Sequence, residues 1–97
     1  MSYRVAFLPD ARTDIEQSFA WYEERQAGLG NDFLAAIEEI VQLLEDNPMT
    51  FQVVHREIRR ALTSRFPYGV YFHVIEEVVI VIAVFHASRH PRLWKRR

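Results

Sequence analysis

The segment Val78-Val-Ile-Val-Ile-Ala-Val-Phe-His86 decides how this chain folds. Seven of its first eight residues are β-branched or aromatic, which gives it a strong preference for a strand. An apolar run of this length is too short to span a bilayer, and it indicates a strand with both faces buried. A basic segment, Ala-Ser-Arg89-His-Pro-Arg92-Leu-Trp94, follows directly. We interpret the rest of the chain as the scaffold around an apolar strand that leads into a cationic tail.

Composition restricts the class of protein. The chain has 97 residues, 49% of them hydrophobic and 13% aromatic, which suits one domain, residues 1–97, with one core. It contains no cysteine, which excludes disulfides and thiolate metal sites. The N-terminal residues show no signal-peptide pattern, and no apolar run has the length of a transmembrane helix. We therefore expect a small cytoplasmic domain.

The net charge of −1 conceals two halves of opposite charge. Residues 1–55 carry ten acidic and three basic side chains, whereas residues 56–97 carry three acidic and nine basic ones. This division predicts one cationic face that binds a macromolecular partner. A dipolar surface that serves only solubility is the alternative, because charge clusters are common on solvated faces.

The N-terminal third predicts a strand followed by a helix. Tyr3–Leu8 is rich in strand-forming residues and ends at Pro9, after which Asp10 is the expected N-cap of the helix. The apolar side of this helix is predicted to carry Ala11, Ile15, Phe19 and Tyr22, and its polar side Asp14, Glu16 and Gln17. Trp21 falls on neither stripe and is a candidate exposed partner contact. Gly28 is the expected left-handed residue that ends the helix.

A second helix is predicted to start at Gly30 or Asn31 and to end before Asn47-Pro48, because proline cannot continue a helix. Its apolar stripe comprises Phe33, Ile37, Ile40, Val41 and Leu44 and is broadened by Leu34. The short glycine-containing link makes the two helices an antiparallel hairpin. Residues 48–55 are predicted to form a loop.

Three strands are predicted to follow without a helix between them: Arg56–Thr63, Tyr68–Ile75 and Val78–His86. Glu76-Glu77 is the expected turn between the last two, although such turns usually contain Gly or Asn. The element order is therefore β-α-α-β-β-β. We predict an α+β fold in which the helical hairpin packs on one face of a small antiparallel-type sheet.

The turn position predicts which side chains share a face of this sheet. With Glu76-Glu77 as the turn, Ile75 faces Val78 and Tyr71 faces Ile82. The face toward the helices then carries Tyr68, Val70, Phe72, Val74, Val79, Val81, Ala83 and Phe85. The opposite face carries Tyr71, His73 and His86. A shift of one residue in the pairing would exchange the two faces.

The candidate target-binding residues are mainly arginines. Arg59, Arg60 and Arg65 lie on or beside the first of the three strands, where guanidinium groups could clamp phosphates through paired donors. The alternative is that arginines on an exposed edge strand only prevent aggregation. The tail adds Arg89, Arg92 and Trp94 to the target-binding candidates. For Trp94, an anchor that pins the tail to the sheet is the alternative.

A nuclease would need a base, an acid and a phosphate clamp in one place. His86, Tyr71 and Arg89 are the candidate catalytic residues for that chemistry. The alternative for His86 is an imidazole at a strand end that bonds to the backbone. His86 and His90 have the spacing of a metal pair only in a helix, and Pro91 disfavours a helix there, so no metal or other cofactor is expected.

Short motifs occur in a characteristic order along almost the whole chain. They are Asp14-Ile15, Tyr22, Gln26-Ala-Gly-Leu-Gly30, Phe33, Arg59-Arg60, Arg65-Phe-Pro-Tyr-Gly-Val-Tyr71 and His86-Ala-Ser-Arg89-His-Pro91-Arg-Leu-Trp94-Lys-Arg96. In this order and spacing they resemble the RelE/ParE superfamily of toxins from type II toxin–antitoxin, or plasmid stabilisation, modules. The resemblance implies a β-α-α-β-β-β fold, in agreement with the element order above.

Two branches of this superfamily act on different targets. The RelE-like branch cleaves mRNA in the ribosome with basic side chains and usually a tyrosine near the C-terminus, whereas the ParE-like branch inhibits DNA gyrase. By position, this chain has Tyr68 and Ser88 in place of two arginines of the mRNA-cleaving branch, and Trp94 in place of the tyrosine. Arg89 or Arg92 could compensate. The helices and the Arg-Phe-Pro-Tyr and His-x-x-Arg-x-Pro motifs look more like the ParE branch.

The resemblance therefore implies a ParE-like gyrase inhibitor rather than an enzyme. Its partners would be DNA gyrase and a cognate antitoxin, encoded alongside it, whose C-terminal segment folds around the toxin in a hetero-oligomer. A ribosome-dependent mRNA endonuclease is one alternative. The other is a non-toxic member of the superfamily that keeps the fold and acts only as a binding protein.

Overall fold

A computed structural model describes residues 2–87 of the chain. Two helices and five strands lie in this range, with one short 3-10 helix, Pro48–Thr50. In chain order they are β1 (Arg4–Phe7), α1 (Pro9–Arg25), α2 (Leu29–Asp46), β2 (Gln52–His55), β3 (Ile58–Leu62), β4 (Tyr68–Ile75) and β5 (Val78–His86). Neither α1 nor α2 is long and apolar enough to cross a bilayer.

The strands form one sheet in the order β1-β5-β4-β3-β2, with the most apolar strand, β5, inside it. β1 runs parallel to β5, whereas the other neighbours are antiparallel, so the sheet is mixed. The helical hairpin packs on one face, which confirms the predicted α+β class and element order. The prediction of an antiparallel-type sheet was wrong for β1, because the pairing of this strand depends on where the chain returns after the hairpin.

The prediction of a loop over residues 48–55 was wrong. Gln52–His55 is β2, a short edge strand that pairs with β3 through a turn at Arg56-Glu57. Arg56 adopts a left-handed φ of 51°, which a non-glycine residue rarely does. Four mixed residues and a turn without glycine give little sequence signal for a hairpin. For the same reason β3 begins at Ile58 rather than at Arg56.

The helix boundaries differ slightly from the prediction. Asp10 is not the N-cap: α1 begins at Pro9, with Leu8 as the N-cap. Proline is favoured at the first helical position because its missing N–H would have no helical partner there, and Asp10 then lies in the first turn. Gly28 has the predicted left-handed conformation, with φ 88°, and α2 starts directly after it at Leu29.

The core lies between the helices and the sheet, where aromatic rings concentrate. Tyr22 of α1 packs against Phe33 of α2, with ring centroids 5.4 Å apart. The same tyrosine contacts Phe66, in the β3–β4 loop, at 4.8 Å. The predicted apolar stripe of α2 is buried except for the partly exposed Val41 and for Leu34, which is exposed, contrary to the prediction. Ile15 and Phe19 of α1 are only partly buried, because the helix turns Ala11 and Tyr22 most directly toward the sheet.

A β-bulge in β5 changes the predicted faces of its second half. The pairs Ile75–Val78 and His73–Ile80 confirm the turn at Glu76-Glu77. The register then shifts, so that Tyr71 lies opposite Ala83 instead of Ile82. Ala83 and Phe85 therefore lie on the face away from the helices, whereas Val84 and His86 lie on the helix face, contrary to the prediction. A uniformly apolar strand carries no signal for the position of such a bulge.

Candidate target-binding site

Arg59 and Arg60 are adjacent on β3, so their side chains lie on opposite faces of the sheet. Arg59 lies on the helix face, where its Nη1 donates to the carbonyl oxygens of Phe51 at 2.6 Å and Met49 at 3.2 Å. These bonds hold the segment before β2 against β3. The first function of the Arg59 guanidinium is therefore structural.

Arg60 lies on the face away from the helices. It pairs with Tyr71 of β4 on one side and with Gln52 of β2 on the other. Its methylene groups pass close to Gly69 and to the ring of Tyr71. The Arg60 guanidinium makes no hydrogen bond or ion pair with another residue in the range 2–87. Its charge is thus not committed to the described scaffold.

Arg65 lies in the β3–β4 loop at the N-terminal end of α2. Its Nη2 is 3.8 Å from Oδ2 of Asp32, and its guanidinium lies 5.6 Å from the Phe66 ring centroid. The two charged side chains are 66% and 51% exposed. Exposed ion pairs contribute about 0–1 kcal/mol, so a competing anion could replace Asp32 at little cost.

The three arginines therefore occupy three places and do not form one cluster. The expectation that these three arginines share one cationic face away from the helices was wrong: Arg60 lies on that face, whereas Arg59 lies on the helix face and Arg65 at one end of the sheet. The other target-binding candidates, Arg89, Arg92 and Trp94, lie outside the described residues, as does Arg89 in its candidate catalytic role.

Tyr71 and His86, two candidate catalytic residues, are not brought together. Tyr71 is 1% exposed and belongs to the apolar cluster on the face away from the helices. His86 lies on the helix face, its ring centroid 5.6 Å from that of Tyr68. The sheet separates the two side chains, so they cannot act on the same reacting atom. The bulge in β5 is the physical reason.

A cleft of about 170 Å³ lies between α1 and the end of β5. Its walls include Asp14, Gln17, Ser18, Trp21, Tyr68 and His86. Sequence reasoning missed it, because Asp14 was expected on the polar side of α1, yet Asp14 is only 8% exposed and accepts a hydrogen bond from the Val84 amide. Trp21 is 39% exposed, as anticipated, with the Arg25 guanidinium 3.9 Å from its ring centroid.

This cleft combines aromatic walls with hydroxyl, amide and imidazole groups. Such a lining suits binding through stacking and hydrogen bonds. Within residues 2–87, no group of three His, Asp or Glu side chains is arranged to hold a metal ion. Cationic and aromatic side chains thus lie in separate places on the described surface.

A helical hairpin on one face of a five-stranded mixed sheet gives this chain the same fold as three solved structures. The chain is similar to a structure of the chromosomal ParDE toxin–antitoxin system of P. aeruginosa, with 13% identity, a TM-score of 0.77 and coverage of 88% of this chain and 96% of the other. It is also similar to a chain of the RelBE2 toxin–antitoxin complex of Mycobacterium tuberculosis, with 20% identity, a TM-score of 0.66 and coverage of 89% and 99%. For a free mutant of the E. coli toxin RelE, the identity is 15%, the TM-score 0.59 and the coverage 91% and 86%.

A match of the sequence to a family model shows to which protein family the chain belongs. The family described as "ParE toxin of type II toxin-antitoxin system, parDE" matches residues 5–91. The chain therefore belongs to the ParE toxin family, which confirms the resemblance to the RelE/ParE superfamily. No curated protein matches the chain by sequence.

Proposed function

We propose that this ParE family member inhibits DNA gyrase in the cytoplasm and is neutralised by a cognate antitoxin. The family match over residues 5–91 is the observation that carries the proposal. The solved structures similar to this chain include two toxin–antitoxin systems, which supports an antitoxin as the second partner.

The geometry favours inhibition over RNA cleavage. A nuclease that uses both Tyr71 and His86 would need them on one side of the sheet, and they lie on opposite sides. Tyr68, which stands where the mRNA-cleaving branch has an arginine, is 5% exposed and packs its ring against Tyr22 and Phe33. A buried aromatic side chain in this place supplies no charge to a phosphate.

Cationic contacts with the target are assigned first to Arg60 and Arg65, together with Arg89 and Arg92 of the tail, and an aromatic contact is assigned to Trp94. Arg60 and Arg65 have charges that the described scaffold does not need, since Arg60 makes no described polar bond and Arg65 only an exposed ion pair. Arg59 remains a candidate, but its bonds to two backbone carbonyls make it a poor probe of target binding.

The test compares two reactions of the purified protein. The first measures how much relaxed plasmid gyrase supercoils as the concentration of the protein increases. The second measures cleavage of a reporter mRNA while purified ribosomes translate it. We expect loss of supercoiling and an intact transcript. Ribosome-dependent cleavage with normal supercoiling would establish the endonuclease instead, and absence of both activities and of growth inhibition would identify a binding protein.

A variant with two charge reversals tests whether Arg60 and Arg65 contact the target. Arg60→Glu with Arg65→Glu should raise the half-inhibitory concentration for gyrase by at least about tenfold, in line with the loss of two charged contacts. Arg12→Glu is the matched control, because Arg12 is an exposed arginine on the acidic half whose guanidinium only approaches the Phe7 ring. Equal inhibition by both variants would contradict the assignment. Co-expression with the neighbouring gene should restore growth and yield a co-purifying complex.

A further inference from the structure

Gly69 occupies an unexpected position for a glycine. It lies inside β4, buried between β3 and β5, where it pairs with Leu62 and Phe85. Glycine within a strand is usually unfavourable by about 0.5–1 kcal/mol relative to alanine. Its backbone does not need glycine either, because Gly28 is the glycine in this chain that has a positive φ. The reason for Gly69 must therefore lie in the space around it.

That space is filled by two side chains on the face away from the helices. A Cβ atom on residue 69 would lie 3.1 Å from Cδ and 3.2 Å from Cγ of Arg60. It would also lie 3.1 Å from Cε1 of the Tyr71 ring. These separations are shorter than an ordinary van der Waals contact between carbon atoms. The methylenes of Arg60 thus lie across the bare Cα of Gly69, beside the Tyr71 ring.

This packing gives the Arg60 side chain a direction. Arg60 lies opposite Tyr71, and Gly69 is its diagonal neighbour toward the start of β4 and the end of β5. The stem therefore runs along the sheet toward that end. A long side chain held in one rotamer loses less entropy when it binds.

We infer that Gly69 is a positioning residue, whose missing side chain seats the stem of Arg60 and directs its guanidinium to an anionic group of the target. The inference rests on the proposed function for the identity of the target. The seating itself is a property of the free protein. Tyr71 forms the side of the seat, which gives this buried tyrosine a function other than catalysis.

The experiment is a double-mutant cycle between residues 69 and 60. Gly69→Ala should raise the half-inhibitory concentration for gyrase by roughly fivefold in the presence of Arg60, a coupling typical of residues in contact. In the Arg60→Ala background the same change should have an effect below about twofold. Equal losses in both backgrounds would overturn the inference, because the glycine would then act on stability alone.

Two further measurements keep the inference testable if Gly69→Ala lowers stability. Gly28→Ala is the control for stability loss, since it strains the backbone between α1 and α2, where a Cβ would meet nothing within 4 Å, and should leave the inhibitory concentration of the folded protein unchanged. The 15N heteronuclear NOE of Arg60 Nε in the free protein should fall from an ordered to a mobile value in Gly69→Ala. An unchanged NOE would refute the seat, whether or not gyrase is the target; failure of the wild-type protein to inhibit gyrase would refute only the proposed function.

Discussion

The carboxylate of Asp14 on α1 accepts a hydrogen bond from the backbone N–H of Val84 on β5, at 2.9 Å between Oδ2 and N. The short strand β1 pairs with β5 only as far as Val81, whose carbonyl accepts from the Leu8 amide at 3.0 Å. Beyond that point β5 has no strand on its outer side. Asp14 takes over the bonding function of β1 there, which joins the first helix to the last strand and closes one end of the cleft.

Removal of the Asp14 carboxylate should therefore destabilise the fold. Asp14→Ala leaves a buried N–H of Val84 without its acceptor, and we expect the free energy of unfolding in urea to fall by about 1–3 kcal/mol. Asp14→Asn keeps one oxygen acceptor and should lose less. Glu16→Ala, an exposed residue on the same helix, is the control and should change stability by less than about 0.5 kcal/mol. Equal stabilities of Asp14→Ala and Glu16→Ala would contradict this function of Asp14.

Glu23 stabilises the link between the two helices. Its Oε2 accepts from the Gly28 amide and its Oε1 from the Gly30 amide, both at 2.9 Å. Glu23→Gln removes one of two acceptors and the charge, so we expect a loss of about 1–2 kcal/mol in urea unfolding and faster amide exchange at Gly28 and Gly30. Glu24→Gln changes the same charge on an exposed neighbour and should leave both measurements near those of the wild type.

Alanine at Gly28 and at Gly30 should destabilise for different reasons. At Gly28 there is room for a Cβ, but φ is 88°, which costs about 1–2 kcal/mol for a residue with a side chain. At Gly30 a Cβ would lie 2.8 Å from Glu23 Oε1 and 2.8 Å from Phe19 Cδ2.

A second substitution distinguishes the two causes. Glu23→Ala should partly relieve the crowding in Gly30→Ala, whereas it should not relieve the backbone strain in Gly28→Ala. Melting temperatures of the single and double variants measure this difference. Purely additive effects at Gly30 would show that its contact with Glu23 is not the cause.

Substitutions of Arg59 and Arg65 should distinguish an arginine that stabilises the fold from one that forms only a surface ion pair. Arg59→Met keeps most of the stem but removes both bonds to the carbonyls of Met49 and Phe51, so stability should fall by about 1–3 kcal/mol, with faster amide exchange in β2. Arg65→Met breaks only the exposed pair with Asp32 and should cost less than about 1 kcal/mol. A larger loss for Arg65→Met than for Arg59→Met would contradict these assignments.

Much of the fold could be predicted because the signals were local. Apolar runs predicted the bounds of β4 and β5, and the charged residues between them predicted the turn at Glu76-Glu77. Proline predicted the end of α2 at Asp46. β2 was missed because a four-residue edge strand buries too little to leave an apolar pattern. The bulge opposite Tyr71 was missed because either face of β5 is apolar, so that both registers satisfy the pattern.

The candidate site was less predictable, because it depends on which face each side chain occupies. A partner could reach Arg60 on the face away from the helices and Arg65 at the end of the sheet. Arg59 was expected beside them but lies on the helix face. The packing of Arg60 against Gly69 could not be predicted, because a glycine in the sequence does not indicate which neighbouring side chain fills the space beside it.

By itself, the sequence determined the α+β class, the family and the order of all helices and strands except β2, because hydrophobic periodicity, turn residues and motif order are properties of neighbouring residues. Only the tertiary structure decided that β1 joins β5 in parallel, that His86 faces the helices and that Arg59 bonds to the backbone. The first two features arise from pairings between strands, and the third from a bond between residues eight positions apart, so none of them is visible in the pattern of neighbouring residues. One extra residue in a strand exchanges its faces at a small local energy, and so reassigns every side chain that follows.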